Sequence, residues 1–134
     1  MESEIYKTKL EAKGFRVHQR IAQPLSARIE AGDVDSVGLE QDIEEIFAPI
    51  RKIKNILLAC THYPLINHKI SEYTGDTILL DPAEEMVNWV FSNWKIGEGS
   101  NQVKWQTSGD TLQMKNSLEK LYGIDTNNIQ NIQL

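Results

Sequence analysis

The chain has 134 residues, a formal charge of −5, 25% charged residues and 40% hydrophobic ones. That is room for one domain around one moderate core. The acidic balance and the lack of a basic block argue against nucleic acid as a main partner, and no apolar run approaches a membrane span.

The single cysteine, Cys60, allows no internal disulfide and fits a reducing, cytoplasmic compartment. The N-terminal stretch is charged and amphipathic, without the apolar centre of a signal peptide. His18, His62 and His68 are scattered rather than set at zinc spacing, so no metal is expected. No Gly-rich phosphate loop occurs, so no nucleotide or nicotinamide cofactor is expected.

Glu2–Lys13 reads as a helix, with Ile5, Tyr6 and Leu10 roughly on one face, Ser3 or Glu2 placed to cap it and Gly14 to stop it. Phe15–Ile21 reads as a strand: Phe15, Val17, Gln19 and Ile21 alternate with Arg16, His18 and Arg20, which gives it one wet face. Gln23-Pro24 ends that strand, and Pro24 opens a short helix that runs through Glu30 and stops at Gly32. A loop of Asp, Ser and Gly follows. Leu39–Phe47 is an amphipathic helix with Leu39, Ile43, Ile46, Phe47 and Ile50 on one face. Glu40, Asp42, Glu44 and Glu45 are its solvated side, and Pro49 marks a break.

Asn55–Leu65, NILLACTHYPL, is the stretch that carries chemistry. The apolar run Ile56–Ala59 is too short for a helix and reads as a buried strand. It delivers a thiol, a hydroxyl and an imidazole (Cys60, Thr61, His62) into one short loop. In open α/β sheets, ligands sit beyond the carboxyl ends of strands. His62 is near enough in sequence to tune Cys60, and Pro64 suits the first turn of a following helix whose free N–H groups favour a thiolate. On burial statistics alone, Cys60 reads more readily as a buried cysteine at a strand end, and it is the neighbours that change this.

Pro64–Tyr73 is that helix, with Leu65, Ile66 and Ile70 inward and Gly75 as its stop. Thr77–Leu80 is a second buried strand. Asp81 then caps a helix, with Pro82 at its first position and Glu84 closing a capping box. Met86, Val87, Val90, Phe91 and Trp94 form an apolar stripe suited to a core or an interface. Residues 97–102 are the clearest linker. Val103–Thr107 reads as a strand and Leu112–Tyr122 as a helix with Met114, Leu118 and Leu121 inward. The polar tail from 124 to 134 is loose or a weak edge strand.

ACTHYPL resembles the second cysteine motif of the cofactor-independent glutamate racemases, with Ala59 where the family has glycine. Gln23-Pro24-Leu25 is similar to a Cys-Pro-Leu of that family, Glu30 before Gly32 to a glutamate that assists the motif's histidine, and Asp81-Pro82-Ala83-Glu84 to an Asp-Ser-Ala-Glu. Ser3 and Tyr6 look like the tail of a threonine-rich turn that follows a strand, so the chain seen this way begins one strand late.

The resemblance implies an α/β, three-layer architecture with a mostly parallel sheet flanked by helices: one of two racemase domains, lacking its first strand. Residues 1–96 would be the C-terminal catalytic domain, 97–102 the linker, 103–123 a strand–helix unit at home in the N-terminal domain, and 124–134 a tail. It also implies interconversion of L- and D-glutamate by two thiols, supplying D-glutamate for peptidoglycan, with no cofactor. Cys60 would be the base on the L-glutamate side, with Thr61 holding the substrate's polar groups and His62, backed by Glu30, setting the protonation of Cys60. The resemblance covers only the second half of the family's length, so the chain is expected to be a fragment, inactive alone, whose partners are glutamate, the N-terminal half and a second copy of itself.

Three alternatives stay open. A related acid such as aspartate is an alternative substrate. A Cys–His hydrolase with Cys60 as nucleophile and His62 as base suffers from the two-residue spacing and the lack of an oxyanion loop. A non-catalytic module would only fold and associate.

Overall fold

The computed structural model describes residues 4–95, 97, 99, 100 and 102–133. The expected caps Glu2 and Ser3, the linker positions Glu98 and Asn101, and the end positions Ile96 and Leu134 lie outside the described residues.

Two helices build the frame. In α2 (Gln23–Glu30), Pro24 sits in the first turn, where its missing N–H costs nothing. The helix gives way to Gly32, whose φ of +70 suits a residue without Cβ. Lys120 lies against the same glycine, so any side chain there would also collide with its stem. In α3 (Val37–Phe47), the Ser36 hydroxyl accepts from Leu39 N at 3.1 Å and caps the helix. Leu39, Ile43, Ile46 and Phe47 form one buried stripe and meet Leu25 and Ile29 of α2. Arg28 ties the two helices at their edge by pairing with Asp42 and with Asp33, the latter at 2.8 Å. Ser36 and Arg28 hold the Asp33 carboxyl below its usual range. The stabilisation is therefore present above the ordinary aspartate value and is lost as pH falls through the depressed one.

A short 3-10 turn at Ala48–Ile50, with Pro49 in it, ends the α3 run. Strand β1 (Asn55–Leu57) follows, and then a 3-10 turn at Tyr63–Ile66 and α4 (Asn67–Thr74) lead to β2 (Ile78–Leu80). β1 and β2 pair in parallel, Asn55 with Ile78 and Leu57 with Leu80. Parallel neighbours demand a crossover, and α4 supplies it by burying Ile70 on the core while Ile66 of the preceding turn joins it. Gly75, at φ +68, lets the chain leave α4. Asp81 caps α5 (Pro82–Asn93) by accepting from Ala83 N at 2.9 Å.

One sequence expectation changes, and two readings left open are resolved. Phe15–Ile21 forms no strand, although it alternates as one. Strand pairing needs a partner backbone about 4.8 Å away. Here residues of this segment and of β1 line a cavity of about 410 Å³, and the segment is held instead by Arg20 Nε donating to Ile46 O at 3.3 Å. The stripe of α5, read as core or interface, is not core within this chain: Met86, Val87, Phe91 and Trp94 are exposed. Of the two alternatives for the tail, a loose segment or a weak edge strand, the structure shows the edge strand. Its strand β4 (Ile129–Asn131) pairs in parallel with β3 (Trp105–Thr107) across α6 (Thr111–Tyr122), making a second strand–helix–strand unit. That unit leans on the main core through Leu121, and Leu118 is buried.

The architecture is α/β with parallel strands, as the sequence predicts, and among the described residues these form two sheets of two strands each. Among the described residues, no helix is long and apolar enough to cross a membrane.

Ile43→Ala should cost about 2–5 kcal/mol in a denaturant titration, the cost of a cavity in a packed core. Phe91→Ala, at a side chain 68% exposed, should stay within about 0.5 kcal/mol. Equal losses from the two would show that the α5 stripe packs in this chain after all.

Candidate active site

The site forms where β1 ends. Leu58 continues the strand's direction and its N–H bonds Leu80 O at 2.9 Å, so the backbone is held up to the point where the loop begins. Cys60 follows on a bend, half-buried, and the 3-10 turn starts within three residues. The sequence reading gives Cys60 the N-terminus of an α-helix, but the α-helix proper begins only at Asn67, and Tyr63–Ile66 intervenes as a tighter turn. The backbone donor acting on the sulfur is instead the N–H of His62.

Three of the four residues singled out by sequence come together. His62 Nδ1 lies 3.3 Å from Cys60 Sγ. On the other side of the ring, His62 Nε2 lies 3.5 Å from Glu30 Oε1, an ion-pair distance rather than a tight hydrogen bond. Glu30 is the last residue of α2, so the line of groups runs from a helix end, through the imidazole, to the strand-end thiol. Thr61 is exposed on the same loop.

The partners decide the imidazole's tautomers. With its proton on Nε2 facing Glu30, neutral His62 presents a bare Nδ1 that accepts the thiol proton. As imidazolium it donates to the thiolate on one side and to the carboxylate on the other. The line therefore serves both protonation states of the sulfur. The assignment is inferred from the neighbours.

Sequence reasoning missed two members. Ser26 Oγ is 3.5 Å from Cys60 Sγ, and Tyr63 Oη donates to Ala22 O at 3.1 Å beside it. The signal for Ser26 was its spacing: it lies four residues before Glu30 on α2, hence on the same helix face.

Burial pushes the Cys60 thiol up. The His62 N–H, the Ser26 hydroxyl and the His62 ring pull it down, and the outcome lies below the ordinary cysteine value. Burial pushes the Tyr63 hydroxyl up, with the Ser26 hydroxyl opposing that rise and the nearby Cys60 adding to it. Among the described residues, no group of three His, Cys, Asp or Glu is placed to hold a metal ion.

Because the thiol is depressed in the fold, the native state holds fewer protons than the unfolded one between the two values. Its contribution to stability is complete above the unfolded value and lost as pH falls through the folded one. A pH profile of iodoacetamide alkylation should therefore put the native thiol below the same thiol in urea. His62→Ala should move the native profile up and slow alkylation at pH 7 by roughly two- to tenfold. Coincident native and unfolded profiles would refute this account of the site.

No family model matches the chain. The glutamate racemase of Carboxydothermus hydrogenoformans is 29% identical over 142 aligned positions, which take in 100% of this chain and 54% of that protein. The crystal structure of a glutamate racemase from Bacillus anthracis superposes with a TM-score of 0.77 at 22% identity, covering 90% of this chain and 48% of that one. A glutamate racemase of Francisella tularensis, solved in complex with D-glutamate, superposes with a TM-score of 0.63 at 20% identity over 81% of this chain and 44% of that one. The chain spans about half the length of the curated relatives it matches. In sequence it is similar to glutamate racemases, and in fold to their solved structures, over the C-terminal half of their length.

Proposed function

We propose that this chain carries one of the two proton-transfer faces of a glutamate racemase. The carrying observation is the line Cys60–His62–Glu30, with neighbouring atoms 3.3 and 3.5 Å apart at the carboxyl end of a parallel strand. Racemisation requires a base on one face of the α-carbon and an acid on the other. In the L-to-D direction, the Cys60 thiolate takes the α-proton of L-glutamate and becomes a thiol. A second thiol on the opposite face gives its proton to the carbanion and becomes a thiolate. The reverse direction exchanges the roles, so no redox partner enters and no proton is lost.

The α-proton is only weakly acidic, and a base works best when its own pKa lies near the working pH. A thiol drawn down by an imidazole, a hydroxyl and a backbone N–H suits that task. His62 sets the protonation of Cys60, and Glu30 orients the imidazole. Thr61, exposed on the same loop, holds the polar groups of the substrate. D-Glutamate in the Francisella tularensis structure supports glutamate over aspartate as the substrate class. The product would feed peptidoglycan synthesis and cell shape in the cytoplasm.

The proposed domain division follows the same reading: 1–96 as the C-terminal catalytic domain, 97–102 as the linker, 103–123 as the unit that packs with the N-terminal half, and 124–134 as a tail. Cys60 is the only cysteine of the chain, and His62 shares its loop, so both approach the α-carbon from one side. The 134 residues alone are therefore proposed to be inactive. The N-terminal half of a racemase is the partner that supplies the second thiol.

Incubation with L- or D-glutamate in D₂O, followed by α-deuterium and optical rotation, tests this. The chain alone should give no appreciable exchange. Addition of a separately made N-terminal half should restore turnover, and Cys60→Ala should abolish it. Misplacement by about an ångström costs roughly a hundredfold in rate, so a restored activity well below that of a covalently joined enzyme still fits. Full racemisation by the chain alone would overturn the two-thiol division.

A second reading is favoured by the exposed α5 stripe, where Trp89 and Trp94 stack edge-on 6.3 Å apart while both face solvent. Patches of this kind invite association. On that reading the isolated chain is a pairing module, a dimer with itself or a complex with the other half. Sedimentation showing a strict monomer at high concentration, together with no binding of the N-terminal half, would remove it.

A further inference from the structure

Ser26 sits in the middle of α2, 6% exposed, with its hydroxyl aimed at the sulfur. A serine inside a helix ordinarily returns its hydroxyl to the carbonyl four residues back. For Ser26 that carbonyl is Ala22 O. It already accepts from Leu25 N at 3.1 Å and from the Tyr63 hydroxyl at 3.1 Å. Tyr63 comes from the turn that follows the cysteine loop, so the same loop that brings the sulfur also occupies the serine's default partner. The hydroxyl, which is too buried to rely on water, faces Cys60 Sγ at 3.5 Å, with the Tyr63 hydroxyl as its other neighbour.

We propose that Ser26 is a positioning residue for Cys60: its hydroxyl donates to the thiolate, fixes the direction of the sulfur and favours its charged form. The role in proton transfer rests on the racemase reading, whereas the hydrogen bond itself does not. A hydroxyl suits a sulfur that changes state during turnover. It donates to the thiolate and, by rotation, accepts from the thiol. A lysine could only donate, and an alanine could do neither. No proton leaves Ser26 in either state. His62 reaches the sulfur from within its own loop, while Ser26 reaches it from α2. The two contacts therefore fix the sulfur against two separate elements rather than one.

The test is the pH profile of iodoacetamide alkylation of the full 134-residue chain, which reads the thiol without any turnover. Ser26→Ala keeps a good helix former in α2, and circular dichroism checks that the fold survives. It should shift the profile to higher pH and lower the rate at pH 7 by roughly three- to tenfold. Ser26→Thr retains the hydroxyl and should recover most of the loss.

A Ser26→Ala profile that superposes on wild type, or a Ser26→Thr shift as large as that of alanine, would overturn the proposal. Because the readout needs no glutamate, failure to racemise even with the N-terminal half added, beside a shifted thiol profile, would defeat the racemase reading and leave the Ser26 contact standing.

Discussion

The parallel pairing of β1 with β2 is the constraint on which the rest depends. Two parallel neighbours cannot be joined by a tight turn. The chain must leave β1 at its carboxyl end, cross the sheet and return. The departure is the loop Cys60–His62, the crossing is the 3-10 turn with α4, and the return is β2 with its Asp81 cap. The reactive loop thus lies where the crossover has to begin, and its first residues are held by the Leu58–Leu80 backbone bond. Ile66 and Ile70 hold the crossover down on the core, so their burial also fixes the loop.

The second constraint is the rotation of α2 about its own axis. Leu25 and Ile29, four apart, are fully buried against α3. Ser26 and Glu30, also four apart, lie on the next stripe of the same helix. Once the first pair is committed to the core, the second pair is turned to the edge of the core where the cysteine loop ends. Ser26 meets the sulfur and Glu30 meets the imidazole. Arg28, on the opposite flank of the Leu25–Ile29 stripe, pairs with Asp42 and Asp33 and resists any roll of the helix. Core packing and site geometry are here two consequences of one helical phase.

What could be read from the sequence divides along the same lines. Local chemistry was legible: the Pro24 start and Gly32 stop of α2, the Gly75 exit from α4 at φ +68, and the Asp81-Pro82 start of α5 each depend on a residue's own backbone preferences. The convergence of Glu30 on His62 was legible only through the family resemblance, because 32 residues separate them. Phe15–Ile21 misled because alternation states which faces a strand would show, not whether a partner edge is close enough to pair. The α5 stripe reads as core or interface, and amphipathicity does not choose between them: it identifies a face that wants cover without saying that this chain supplies it. Ser26 was passed over because a lone serine in a helix has an ordinary partner in its own backbone, and only the position of Tyr63 shows that partner to be taken.

The distribution of apolar surface connects the fold to the chemistry. One region, around Leu25, Ile29, Leu39, Ile43, Ile66 and Ile70, is closed and dry. It is the region that aims the thiol, the imidazole and the hydroxyl at one another. The other region, comprising α5 and the outward side chains Ile78 and Leu80 of β2, stays open. An open surface cannot exclude water, and a carbanion beside bulk water loses the preorganised, low-dielectric surroundings that make its formation affordable. The chain therefore holds an oriented acid–base group on a rigid support without an enclosure around it. Rigid orientation depends on one core and is complete within these residues. Enclosure depends on a second surface meeting the first, and the exposed aromatic and aliphatic side chains of α5 and β2 are what such a surface would have to cover.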